Sequence, residues 1–237
     1  MGRAGPPLWP LPLAVALLLV AAVHLAWWLS VRAGHVPACV PWLEGCTSIS
    51  RAARHGLGNH VFRLLVLPCS ALLALHWWAS ARWLALHGAD RGGRWLVALG
   101  LAAAVALAVY ATFLGTEGAA YRFMRRYGVV VYFGASYLAQ LVFLRMARRA
   151  GQPPPGLRRA MLATCLLMLL PGLGNVAASA GVDDPLLKDR LENALEWQLG
   201  VLLVGWYLLQ ARLWWRSGYR LGFAFTDTRA RGAERPE

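Results

Sequence analysis

Glu192 and Glu196 stand four residues apart in RLENALEWQLGVLLVGWYLLQARLWW, residues 190–215, where a long apolar run begins. On a helix that spacing puts both carboxylates on one face, with Asn193 at its border. A carboxylate at the mouth of an apolar run can act as a general base, accept hydrogen bonds from a polar ligand, or neutralise a cation. Glu196, the deeper of the two, is therefore the first catalytic candidate, and His24, in the first apolar run, is the second. Arg63 can pair with Glu196 or bind a phosphate. Asn175, Asn193, Glu192 and His60 can hydrogen-bond polar ligand atoms, and Ser48 and Ser50 add hydroxyls. No base stands near those serines in sequence.

Other chemistry has no signature in the chain. There is no H-E-x-x-H, no Cys-rich metal spacing, no Walker loop and no G-x-S-x-G. The six histidines are scattered, apart from His55 and His60 in a Gly-containing connection. No metal and no cofactor is expected.

The elements that must position these residues are apolar blocks. Of the 237 residues 58% are hydrophobic, and six blocks reach or approach the length that crosses a hydrocarbon core, roughly 8–31, 61–86, 95–115, 128–146, 159–180 and 192–214. They predict an all-α, polytopic membrane protein: one domain over 1–237, a bundle of six transmembrane helices, and a basic cytoplasmic tail over 215–237. Both termini are expected inside, because fifteen of the 24 Lys and Arg then fall in inside segments and nine outside. The net charge of +13 fits a chain oriented beside anionic lipid. Its spread over several connections, with no recognition motif, argues against nucleic acid. The first block ends in Trp27 and Trp28 instead of a small-residue cleavage site, which favours a retained helix over a signal peptide. One Lys against 23 Arg is the bias of a GC-rich genome, which fits a bacterial inner membrane.

Depth then assembles a site. On alternating helices at 1.5 Å per residue, His24, His60, Arg63, Tyr110, Thr112, Glu117, Asn175, Glu192, Asn193 and Glu196 all fall in the outer layer. They predict a polar chamber opening outward, with the inner half plain apolar packing and His76 at the inner interface. PGLGN, with Pro171, reads as a helix break beside that chamber. Trp and Tyr near helix ends read as aromatic belts. Cys39 and Cys46, with six residues between them in the first outside loop, are expected to form a disulfide.

The chain resembles the Frag/DRAM/Sfk superfamily, also described by the N-terminal membrane domain of CWH-type proteins and including DRAM-like and post-GPI-attachment-factor-like members. The likeness rests on TSIS (Thr47 to Ser50), similar to a P-S-I-S pattern with Thr47 in place of the proline, on HVFR ending at Arg63, and on the acidic–aromatic pair Glu196 and Trp197 in LEWQ. It implies a lipid-linked membrane protein. Four readings stand: recognition of a lipid headgroup in remodelling or regulation, a catalytic version with Glu196 or His24 as general base for acyl or amide chemistry, a scaffold whose basic 145–159 loop and tail recruit a protein or anionic lipid, and a small-solute transporter. The resemblance and composition leave the oligomeric state open.

Overall fold

A computed structural model describes residues 5–222, and every regular element among them is a helix. In chain order these are α1 (Pro10–Arg32), α2 (Pro41–Glu44), α3 (Ile49–Ala52), α4 (Gly56–Leu86), α5 (Gly93–Phe113), α6 (Ala119–Arg149), α7 (Pro155–Gly181) and α8 (Pro185–Ser217). The tail beyond Gly222, with Arg229, Arg231 and Arg235, lies outside the described residues, as does Arg3.

Local chemistry explains the starts and stops. Prolines occupy the first turns of α1, α2, α7 and α8, where the missing N–H removes no helix bond. Asp184 caps α8 by accepting from the Leu186 N–H at 2.9 Å, and Gly218, at φ 63°, ends it. The long helices outrun the apolar blocks: α6 begins at Ala119 and α8 at Pro185. Hydropathy reports the hydrocarbon segment, whereas backbone hydrogen bonding continues into the headgroup zone. The expected break at PGLGN does not occur. α7 runs unbroken through a buried Pro171.

Among the described residues, five helices are long and apolar enough to cross a membrane: α1, α4, α5, α6 and α7. They fit an integral, multi-pass membrane protein, and exposed side chains such as Leu64 (71%) and Leu170 (65%) make an apolar outer surface that suits lipid. α8 has the length, at 33 residues, but Gln198, Gln210 and Arg212 dilute its apolar run.

The packing follows the chain. α1 lies on α4, α4 on α5 and α5 on α6, while α8 closes against α1 and α7 and α6 touches α7 only lightly. The Leu8 N–H donates to the Tyr219 carbonyl at 3.0 Å, and the Leu221 N–H to that of Pro6 at 3.0 Å. The start of α1 and the finish of α8 therefore share one end of the bundle, the terminal end. α2 and α3 cover the opposite, loop end.

Two expectations about the terminal half need correction. His76 is not interfacial but fully buried, its ring 5.3 Å from that of Tyr207 and 5.4 Å from that of Trp214. Beside it stands a polar contact instead of plain apolar packing, with Gln210 donating to Ser80 Oγ at 2.8 Å, and Ser136 and Gln140 on α6 are fully buried as well. Trp77, Trp83, Trp197, Trp206 and Trp214 are core residues too. Trp28, Trp95 and Trp215 remain exposed, as a belt requires. Hydropathy along one helix cannot distinguish a belt tryptophan from one that faces five neighbouring helices.

Candidate functional site

The first turns of α8 hold down the loop that carries α2 and α3. Asn193 donates to the Gly45 carbonyl at 2.9 Å and to Asp189 at 3.2 Å. The Trp197 indole N–H donates to the Thr47 carbonyl at 2.9 Å, and Gln198 to that of Trp42 at 3.1 Å. Arg51 grips Asp189 with both terminal nitrogens, Nη1 at 2.8 Å. That hydrogen-bonded pair holds the Asp189 carboxyl below its ordinary value and the Arg51 guanidinium above its own. Glycine is required at 45: φ is +60°, and a Cβ would meet the Arg190 carbonyl oxygen. From the other side, Ser30 donates to the Ala52 carbonyl at 2.6 Å, and Asn59 to those of Ala53 and Leu114 at 2.9 and 3.0 Å. Cys39 and Cys46 stand at disulfide distance, with Cα atoms 6.6 Å apart.

Beneath this loop lies a cavity of about 150 Å³ between α1, α4, α5, α6 and α8. Its walls are apolar, formed by residues such as Val23, Val66, Leu107, Phe133 and Val204. Val20 and Val201 belong both to that wall and to the exposed surface, so the cavity reaches the side of the bundle that faces lipid. The expected polar chamber is thus an apolar one with polar groups at one end.

That end is the loop end. Glu196, Tyr110 and His24 line it, under Trp42 and Trp197. Ser50 Oγ lies 2.9 Å from the Tyr110 hydroxyl. The Glu196 carboxylate has the Ser50 backbone N–H and the Arg51 charge as its electrostatic neighbours. Tyr110 in turn lies within electrostatic reach of Glu196, Arg54 and Arg125. His24 Nδ1 donates to the Val20 carbonyl at 2.8 Å, since a carbonyl can only accept. Its ring stacks on Trp42 at 5.3 Å and meets the edge of Trp197 at 5.8 Å.

The structure therefore brings together Glu196, His24 and Ser50, and disperses most of the other expected site residues. Arg63 does not meet Glu196: its Nε donates to the Ala111 carbonyl at 3.0 Å and its Nη2 to that of Thr112. α4 packs on α1 and α5, so Arg63 caps the end of α5. Glu192 accepts from Ser179 at 2.6 Å in the α7–α8 hairpin. Asn175, on α7, and exposed His60 do not line the cavity. Asn193 is buried against the loop, and Ser48 caps α3 by accepting from the Arg51 N–H at 3.1 Å. A reading by depth carries no information about which way a helix face turns. Tyr110 was expected only at the level of the site and given no role in it, and Arg51, Arg54 and Arg125 went unchosen, because the arginines register in sequence only as outside charges. Among the described residues no three His, Cys, Asp or Glu converge to hold a metal ion.

Comparison with known protein families, curated proteins and solved structures yields no match for this chain. Its function has to be sought in the geometry of this cavity.

Proposed function

We propose that the protein is a six-span membrane protein that binds a lipid in the cavity and reads its headgroup at the loop end. One observation carries this reading: apolar walls and polar groups are segregated along the cavity, the same division that an amphiphile has along its length. An apolar cavity of roughly 150 Å³ has room for a six-carbon ring, so it suits several methylenes of an acyl chain while the remainder extends past Val20 and Val201. At the polar end Glu196 accepts from a hydroxyl or amine of the headgroup, beside Ser50 and Tyr110. TSIS and LEWQ, the motifs behind the Frag/DRAM/Sfk resemblance, meet here through the bond from Trp197 to Thr47.

The sixth span is α8. The pairing of Pro6 with Leu221 at one end of the bundle calls for an even number of crossings. The arginine asymmetry puts the loop end outside and both chain termini inside, in agreement with a disulfide in the loop.

A catalytic version has one specific support, the Ser50–Tyr110 hydroxyl pair beside Glu196. In it Glu196 serves as general base for acyl or amide transfer. Native mass spectrometry of the purified protein with diacyl lipid tests the binding reading: a 1:1 adduct that Val204→Trp weakens is expected. Adducts indifferent to Val204→Trp would contradict it. Comparing the lipids of cells with and without the protein tests the catalytic version, which expects an altered species.

A further inference from the structure

Beside the loop end of the cavity, on residues that do not themselves line it, stands more positive charge than the nearby carboxylates balance. Arg51 is satisfied by Asp189, in the sole ion pair among the described residues. Arg54 has no such partner. Its Nε is buried without a hydrogen bond, and burial, followed by the like charge of Arg125, holds its guanidinium below the ordinary value. Arg125 reaches in from α6, using Nη1 for the Thr116 carbonyl at 3.1 Å. The Arg54 backbone abuts the residue before Thr116, since a Cβ at Gly115 would stand 2.7 Å from the Arg54 carbonyl oxygen. Both arginines thus flank one turn with no carboxylate among the described residues paired to either, and like charges so placed repel each other unless an anion joins them. Nothing local forces the pair: Arg54 follows α3 in the loop and Arg125 sits on the first turns of α6.

We propose that Arg54 and Arg125 bind a phosphate group, and that this phosphate belongs to the headgroup of the lipid held in the cavity. The proposal rests on the lipid-binding reading above and names the headgroup's chemical class. The planar guanidinium offers parallel N–H donors that match phosphate oxygens. Tyr110 ties the pair to the cavity, since it lines the wall and lies within electrostatic reach of both arginines. Glu196 is on the cavity wall as well. It repels a phosphate and accepts from a hydroxyl, so the two charges orient a headgroup that bears both.

Thermal midpoints of the purified protein test this, with three probes: phosphatidylglycerol, diacylglycerol of the same chains, and inorganic phosphate. Phosphatidylglycerol is expected to bind at least tenfold tighter than diacylglycerol. Arg54→Gln and Arg125→Gln should each abolish that preference, and Arg54→Lys should keep part of it. Without lipid, Arg54→Gln should fold with an equal or higher midpoint, because it removes an uncompensated charge. If inorganic phosphate alone shifts the midpoint, through the same arginines, while neither lipid does, the anion site stands and the lipid reading fails. If both lipids bind equally and the arginine variants change nothing, the phosphate proposal is overturned and the lipid reading survives. No shift with any probe overturns both.

Discussion

Glu196 takes no side-chain hydrogen bond among the described residues, and that decides what its replacement should do. Glu196→Gln should leave the fold intact and weaken lipid binding by about 1.5–3 kcal/mol, the range for hydrogen bonds to charged groups. That is roughly tenfold or more in affinity, read by titrating lipid into the purified variant. Arg63→Gln should do the reverse. It strips two α5 carbonyls of their donor, which should lower stability by about 1–3 kcal/mol with affinity little changed, as a thermal midpoint and a titration would show. A third residue-scale outcome depends on pH. Because Arg51 depresses the Asp189 carboxyl, the pair's contribution is complete above the unfolded value near 4 and fades as pH falls through the lowered folded value. Both side chains are about two-fifths exposed, which limits the pair to about 0.2–1 kcal/mol. Asp189→Asn should thus lower the midpoint slightly at pH 7, and the difference should shrink as the pH falls below the unfolded value near 4.

α8 does two jobs along its length: its first half holds the loop, and its second half packs in the bundle with Gln210 bonded to Ser80. Asn193 and Trp197 face loop carbonyls that would otherwise be buried without partners, and Gln198 adds a more exposed bond to the Trp42 carbonyl. Trp197→Phe keeps the aromatic packing against His24 and Trp42 but leaves the Thr47 carbonyl unpaired, a change worth about 1–3 kcal/mol. Hydrogen exchange should then rise across residues 41–53 and stay unchanged in α5. Uniform protection across both segments would show that the loop does not depend on α8. The carboxylates and amides of RLENALEWQ were legible as polar and as outward of the apolar run. Their division was not: Asn193 and Gln198 hold the loop, Glu192 holds α7, and only Glu196 reaches the cavity. That sorting follows the rotation of α8 against α1 and α7, a property of the packed bundle.

At the scale of the whole molecule, apolar runs located all six long helices, because bilayer thickness dictates the length of an apolar stretch. The cavity was legible only as a depth. Its apolar walls come from Val and Leu residues that look, in sequence, like any lipid-facing residue, and the two arginines beside its loop end come from the loop after α3 and from the start of α6, distant in the chain. The same lack of a rotational signal hid the polar contact beside His76, which the apolar runs of α4 and α8 flank on both sides. The central claim is that a lipid lies inside this bundle and not merely around it. A lipid with a photoreactive acyl chain, activated on the reconstituted protein, tests this most directly. Crosslinks are expected at Val23, Phe133 and Val204, and filling the cavity with Val204→Trp should remove those at Val23 and Phe133. Crosslinks confined to perimeter residues such as Leu64, Val105 and Leu170, unchanged by Val204→Trp, would contradict the account.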